Sequence, residues 1–244
     1  MLGIHFDTSL YMAQDILKVS EEANWKVRTI LRTNRFYNKE ETMNLYKSRV
    51  LGYIEYRTSA FYHAAENLLQ HIDTVQVRVC KALDVSMEQA LMEYNLAPLN
   101  ARRDISMLGL IHRSIIGAGP DHFSKFFVRA PTPSRPDGRE TMRRHSKQVR
   151  SLRNGKFLQI LSHSVLGLID VYNLLPEYAV QATSVKLFQH RLQEQMKAAI
   201  MDGGKNWSEL FSPRRDLHSH ELRKWQKWVG TGKAPDWLND SEAY

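Results

Sequence analysis

The sequence predicts a mostly α-helical protein, and three features carry that prediction. Apolar residues recur three and four positions apart along much of the 244-residue chain, the repeat of helices with one buried face. Two capping boxes, Asn38 with Glu41 and Ser86 with Gln89, stand where such repeats begin. Strand-like alternation is confined to the N-terminus, in Leu2-Gly3-Ile4-His5-Phe6-Asp7. This short β-strand has no earlier strand to pair with, so the chain reads as starting inside a sheet element.

A first helix is expected from Tyr11 to Thr33, with Ile16, Val19, Ala23, Val27 and Ile30 on one face and Lys18, Lys26 and Arg28 off it. Two more, almost without a linker, fill Asn38 to Leu83. Met43, Tyr46, Val50, Ile54 and Phe61 line one; Leu68, Ile72, Val75, Val79 and Leu83 line the other. A short helix after Ser86 ends near Tyr94. Proline suits the first helical position, so Ala97-Pro98-Leu99 opens a helix to Ile116, with Gly117 placed as its stop. Pro131, Pro133 and Pro136 then break any regular element, and Asn154-Gly155 is a turn dipeptide. Helices are expected again from Phe157 to Leu175, stopped by Pro176, and from Ser184 to Met201, ended by Gly203-Gly204. A tail with Trp207, Trp225, Trp228 and Trp237 is expected to cover a hydrophobic edge. The segments are therefore a helical domain (1–119), a basic connector containing prolines (120–156) and a C-terminal helical unit (157–244).

Composition narrows the function classes. An apolar content of 43% supports a sizeable core. No apolar run approaches the roughly 18 residues of a membrane span, and Met1-Leu2-Gly3-Ile4 meets His5 and Asp7 too soon for a signal peptide. The single Cys80 supports neither a disulfide framework nor a zinc ribbon and is expected to be a buried structural thiol, in an intracellular protein, nuclear or cytoplasmic. The net charge of +8 is concentrated. Between Asp121 and Lys156 lie ten cations and three acids, an excess of seven, and such a tract points to a polyanion partner.

Catalytic chemistry finds no support in the residues. Glu21-Glu22 and Glu40-Glu41 are adjacent on helices, where successive side chains diverge by about 100°, so neither pair converges on a metal. His112, His122 and His218-Ser219-His220 fit no metal-ligand spacing and are expected to be surface or capping histidines. No Gly-x-Ser-x-Gly elbow occurs, and Gly203-Gly204-Lys205 lacks the spacing of a phosphate loop. The basic tract is the feature that retains a function, with a solvated linker as its alternative reading. On a helix, Arg139, Arg143, Lys147 and Arg150 would share an arc of about 80°. With Arg144 and Arg153 they are the candidate nucleic-acid-binding residues. Phe123, Phe126 and Phe127, just upstream, are expected to be core residues before base-stacking platforms.

Three blocks, in order, resemble the C-terminal third of a reverse transcriptase from non-LTR (LINE-type) retrotransposons. Leu2 to Leu10 is similar to the strand and turn after the primer grip. Leu45-Tyr46-Lys47, Ile54-Glu55-Tyr56 and Leu69 to Gln76, followed by Pro98-Leu99 and Arg102-Arg103-Asp104, resemble the thumb. Tyr172-Asn173-Leu174-Leu175-Pro176 with Ser184, Phe188 and Leu192 resembles an element near the end of such proteins, with Tyr172 in place of the usual tryptophan. The resemblance covers roughly residues 1–201. It implies a thumb-like helical bundle and a non-catalytic fragment of an RNA-directed DNA polymerase that contacts template–primer duplex or RNA through its backbone. The aromatic-x-Asp-Asp turn is absent, so no activity is expected from this chain alone, and magnesium would belong to the palm. The implied partners are RNA or RNA–DNA hybrid and the fingers and palm of the same polymerase. A helical protein-interaction module and an inert retrotransposon remnant are the alternatives.

Overall fold

The computed structural model describes residue 4, residue 8 and residues 11–130, 145–151, 161, 163–216 and 219–223. Among the described residues the regular structure is helical, joined by one isolated antiparallel bridge between Arg129 and Val149. The chain divides into two compact units, Met1–Arg103 with Ile200–Gly203 and Asp104–Ala199 with Gly204–Tyr244. The strand expected over Leu2–Asp7 lies outside the described residues except at Ile4, which has no regular structure and packs on the core of the first unit.

In the first unit, α1 (Ala13–Thr33) buries Ile16, Val19, Ala23 and Val27, the expected face short of its last member, Ile30, which is half-buried. The next helix, α2 (Lys39–Tyr46), starts on the expected capping box. The Asn38 side chain accepts from the Glu41 N–H at 2.8 Å, and the Glu41 carboxylate accepts from the Asn38 N–H at 2.9 Å. One continuous helix to Phe61 does not form. After α2 the chain widens into a π-turn at Lys47–Leu51, then continues in α3 (Gly52–Glu55) and α4 (Thr58–Phe61). The apolar spacing supplies a reason. Tyr46, Val50 and Ile54 step by four, which overshoots a 3.6-residue turn by about 40° each time, and a wider turn resets that drift. All five expected residues, Met43 to Phe61, are nevertheless buried.

Next come α5 (Glu66–Ala82) and α6 (Met87–Tyr94), the latter on its Ser86–Gln89 capping box. Leu69 enters the core in place of Leu68, ahead of Ile72, Val75, Val79 and Leu83. Cys80 is buried among them, and burial pushes its thiol up to about 11, so it stays protonated and inert.

Helix α7 (Leu99–Ile115) ends in the second unit. Gly117, at φ +78°, closes it as expected: its N–H donates to the Ser114 carbonyl and the Ala118 N–H to that of Arg113, the paired bonds of a Schellman stop. The same pair ends α10 (Val185–Met201), from Gly203 to Ile200 and from Gly204 to Ala199. Between them lie α8 (Leu168–Leu174) and α9 (Glu177–Val180). The helix expected from Phe157 to Leu175 is interrupted: Leu161 is helical, residues 163–167 form turns before α8 starts at Leu168, and residues 157–160 and 162 lie outside the described residues. Ser164 donates to the Leu161 carbonyl and accepts the Leu166 N–H, bonds that compete with a helical ladder, and Gly167 follows. In the tail Trp207 is buried, whereas Trp225, Trp228 and Trp237 lie outside the described residues.

Candidate nucleic-acid interface

Within the stretch from Arg139 to Arg153 that was expected to share a helical arc, the described residues are not a helix. Residues 145–151 turn and then extend, so Lys147 and Arg150 do not share the helical arc expected of them. Arg139, Arg143, Arg144 and Arg153 lie outside the described residues. Backbone pairing overrides the helix here: the Ala130 N–H donates to the Gln148 carbonyl and the Arg150 N–H to that of Val128, both at 2.8 Å. The result is a short ribbon in which Arg129 faces Val149.

Packing beneath the ribbon holds it. Val149 and Phe127 are buried, and Asn173 grips Val149 from both sides: its Oδ1 accepts the Val149 N–H at 2.8 Å and its Nδ2 donates to the Val149 carbonyl at 2.7 Å. The Glu177 carboxylate accepts from the Ser146 N–H and hydroxyl, at 2.7 and 2.6 Å, and those bonds hold it below the usual carboxylate range despite partial burial. Ser151 donates to Asp170. Thus α8 and α9 hold an extended, positively charged segment by its backbone. Phe126 and Val128, by contrast, are exposed on the ribbon and beside it, so of the three phenylalanines only Phe127 is a buried core residue.

Arg129, Lys147 and Arg150 belong to this ribbon. Partial burial first, and then the Arg129 charge, lower the Lys147 ammonium from its ordinary range, while Glu177 opposes the shift. Like charges brought onto one ribbon disfavour each other's charged form, and an anion relieves that. Arg129 also has a structural use. Its Nη2 lies 3.5 Å from the Ile115 carbonyl, at the negative end of α7.

The largely apolar core of the second unit encloses several polar groups. His112 is not a surface or capping residue: it is fully buried in α7, with its ring stacked on Phe188 at a centroid distance of 4.2 Å. Its Nε2 lies 3.0 Å from the Ala182 carbonyl and its Nδ1 3.0 Å from the Tyr172 hydroxyl. A carbonyl can only accept, so Nε2 carries the proton and Nδ1 accepts from Tyr172. Burial pushes the His112 imidazole down to about 4, and the charge of Lys147 adds in the same direction. The Tyr172 carbonyl meets His145 Nε2 at 2.9 Å, and His145 Nδ1 accepts the Lys147 N–H at 3.2 Å. A set of hydrogen bonds in two parts, one meeting the Tyr172 hydroxyl and the other its carbonyl, therefore runs from Ala182 to the ribbon. No spacing in the sequence signals it, because its members come from four separate segments. His220 is also buried, with Nε2 3.3 Å from the Ser212 carbonyl, and His218 lies outside the described residues.

Several residues that carry the resemblance are engaged internally. Arg103 grips Asp73 through two bonds of 2.6 and 2.8 Å, Arg102 Nε meets Glu55 at 2.5 Å, and Lys47 donates to the Tyr94 carbonyl. Gln76 Nε2 donates to the Ala97 carbonyl at 3.1 Å. These side chains hold the first unit together and are not presented as phosphate ligands. Among the described residues no group of His, Cys, Asp and Glu is arranged to hold a metal ion, and no helix is long and apolar enough to cross a membrane. No family model, curated protein or solved structure matches the chain.

Proposed function

We propose that the chain is a non-catalytic nucleic-acid-binding part of an RNA-directed DNA polymerase of the non-LTR retrotransposon type, contacting RNA or RNA–DNA hybrid through the phosphate backbone. The carrying observation is the ribbon: Arg129, Lys147 and Arg150 lie on or beside backbone that buried Val149 and the Asn173 clamp hold extended. The three ordered sequence blocks support the polymerase assignment. The tract's excess of seven cations over Asp121–Lys156 supports a polyanion partner. Contacts of this kind position a duplex without reading its bases, so affinity depends little on sequence.

The test is the salt dependence of binding to RNA–DNA hybrid. Three phosphate contacts give a logarithmic slope near −2.7. Replacing Arg129, Lys147 and Arg150 together by glutamine should remove most of it, with circular dichroism confirming that the helices remain. Lys186, exposed on α10 and outside the tract, serves as the control. Arg191 is unsuitable as a control because its guanidinium donates to the Tyr178 carbonyl. Unchanged affinity and slope in the triple variant would remove the ribbon from the interface.

A further inference from the structure

We infer that the exposed face of α1 and the turn after it form a binding surface for single-stranded nucleic acid, with Trp25 and Phe36 as stacking platforms for bases. The helix buries Ile16, Val19, Ala23 and Val27. At 100° per residue, Lys18, Trp25, Arg28 and Arg32 fall within about 80° of one another on the side opposite that face. Trp25 is 66% exposed there. The 3₁₀ turn Asn34–Phe36 follows directly, with the Arg35 guanidinium 4.7 Å over the Phe36 ring and Phe36 still 69% exposed.

From Ala23 to Tyr37 the chain carries four cations, Lys26, Arg28, Arg32 and Arg35, and no acid. None of Lys18, Arg28, Arg32 and Arg35 forms an ion pair among the described residues. From α5, Arg78 donates to Asn24 at 2.5 Å and adds a further cation along this edge. Glu21 falls within the same arc and Glu22 lies beside it, where Glu22 accepts the Tyr53 hydroxyl. Cations in the last turn complement the helix dipole, which accounts for Arg32. The dipole does not account for two large rings left in water.

Single strands are bound by such a combination, cations that track phosphates and aromatic faces on which bases of any kind stack. A second copy of the chain would bring the same cations against these. An acidic polypeptide would use the cations and leave the rings without a role. The face belongs to the first unit and the cationic ribbon to the second, so this inference stands apart from the duplex-binding proposal and each can fail alone.

The experiment uses the full chain and a labelled oligo(dT) of about 12 nucleotides, within the site sizes of single-strand binders, at low salt. Trp25→Ala and Phe36→Ala should each weaken binding about tenfold, the effect of losing one stacked base. Lys18→Gln, Arg28→Gln and Arg32→Gln combined should flatten the logarithmic salt slope by about 2, at roughly 0.7 per lost contact. An abasic strand of the same length should bind more weakly than oligo(dT) to the wild type and equally to the wild type and Trp25→Ala. All these positions are exposed, and unchanged circular dichroism would confirm folding. Two results would each overturn the inference: wild-type affinity in both aromatic variants, or equal binding of abasic strand and oligo(dT). Displacement of the strand by polyglutamate at equal charge concentration would assign the face to an acidic protein instead. The Arg129, Lys147 and Arg150 variant, assayed on the same strand, should bind as wild type.

Discussion

The two units solve the same problem, polar groups inside a helical core, in different ways. In the first, buried donors meet backbone carbonyls singly, as Ser20 donates to His71 at 2.8 Å and Gln76 to Ala97 at 3.1 Å, while the buried Tyr46 hydroxyl has no partner among the described residues. In the second, the groups come in linked sets that meet on one residue: Ala182 and His112 reach the Tyr172 hydroxyl, and the Tyr172 carbonyl reaches the backbone of Lys147 through His145. Isolated bonds fail one at a time. A linked set polarises its members and leaves several buried partners unsatisfied when one is lost. The second unit therefore ties its stability to the protonation of His112 and to the shape of the cationic ribbon.

Cavity formation should break that arrangement most severely. Phe188→Ala removes the ring stacked on His112 and should cost about 4 kcal/mol, read as a lower urea midpoint at constant slope. Phe61→Ala, fully buried in the first unit, should cost a similar amount, since cavity size and not polarity sets this effect. A cost for Phe188→Ala below that of a surface substitution would show that this core does not pack as described.

Acid should separate the units more sharply. The imidazole of His112 sits near 4 in the folded protein against an ordinary 6.5, so between these values the unfolded chain binds a proton that the folded chain refuses. Stability from this site is complete above pH 6.5 and is lost as pH falls towards 4, on the order of 3 kcal/mol in all. His220, also lowered by burial, acts in the same sense. Urea titrations at pH 7 and pH 4.5 would measure the loss, and His112→Asn should reduce its dependence on pH. An identical pH dependence in that variant would contradict the buried, neutral assignment.

Smaller effects distinguish long-range from local bonds. Asn173→Ala frees both backbone groups of Val149 and should cost about 2 kcal/mol. It should also weaken binding to RNA–DNA hybrid, because the ribbon loses its clamp. Asn38→Ala removes one cap in the first unit and should cost about 1 kcal/mol with no effect on binding. Equal losses of hybrid affinity in the two variants would dissociate the ribbon from the interface.

What the sequence determined by itself is whatever depends on near neighbours. Helical period, the capping boxes at Asn38 and Ser86, the glycine stops at Gly117 and Gly203, and the burial of Cys80 all follow from residues within a turn or two. The charge of the basic tract was legible too, since charge is a property of composition. Its conformation was not. Lys147 and Arg150 are compatible with a helix locally, and only pairing with Val128–Ala130 and the grip of Asn173 impose an extended path. For the same reason His112 looked like any exposed histidine, because its partners stand 60 and 70 residues away along the chain. Contacts at that separation leave no periodic trace, and the tertiary structure alone decides which polar side chain is buried and what satisfies it.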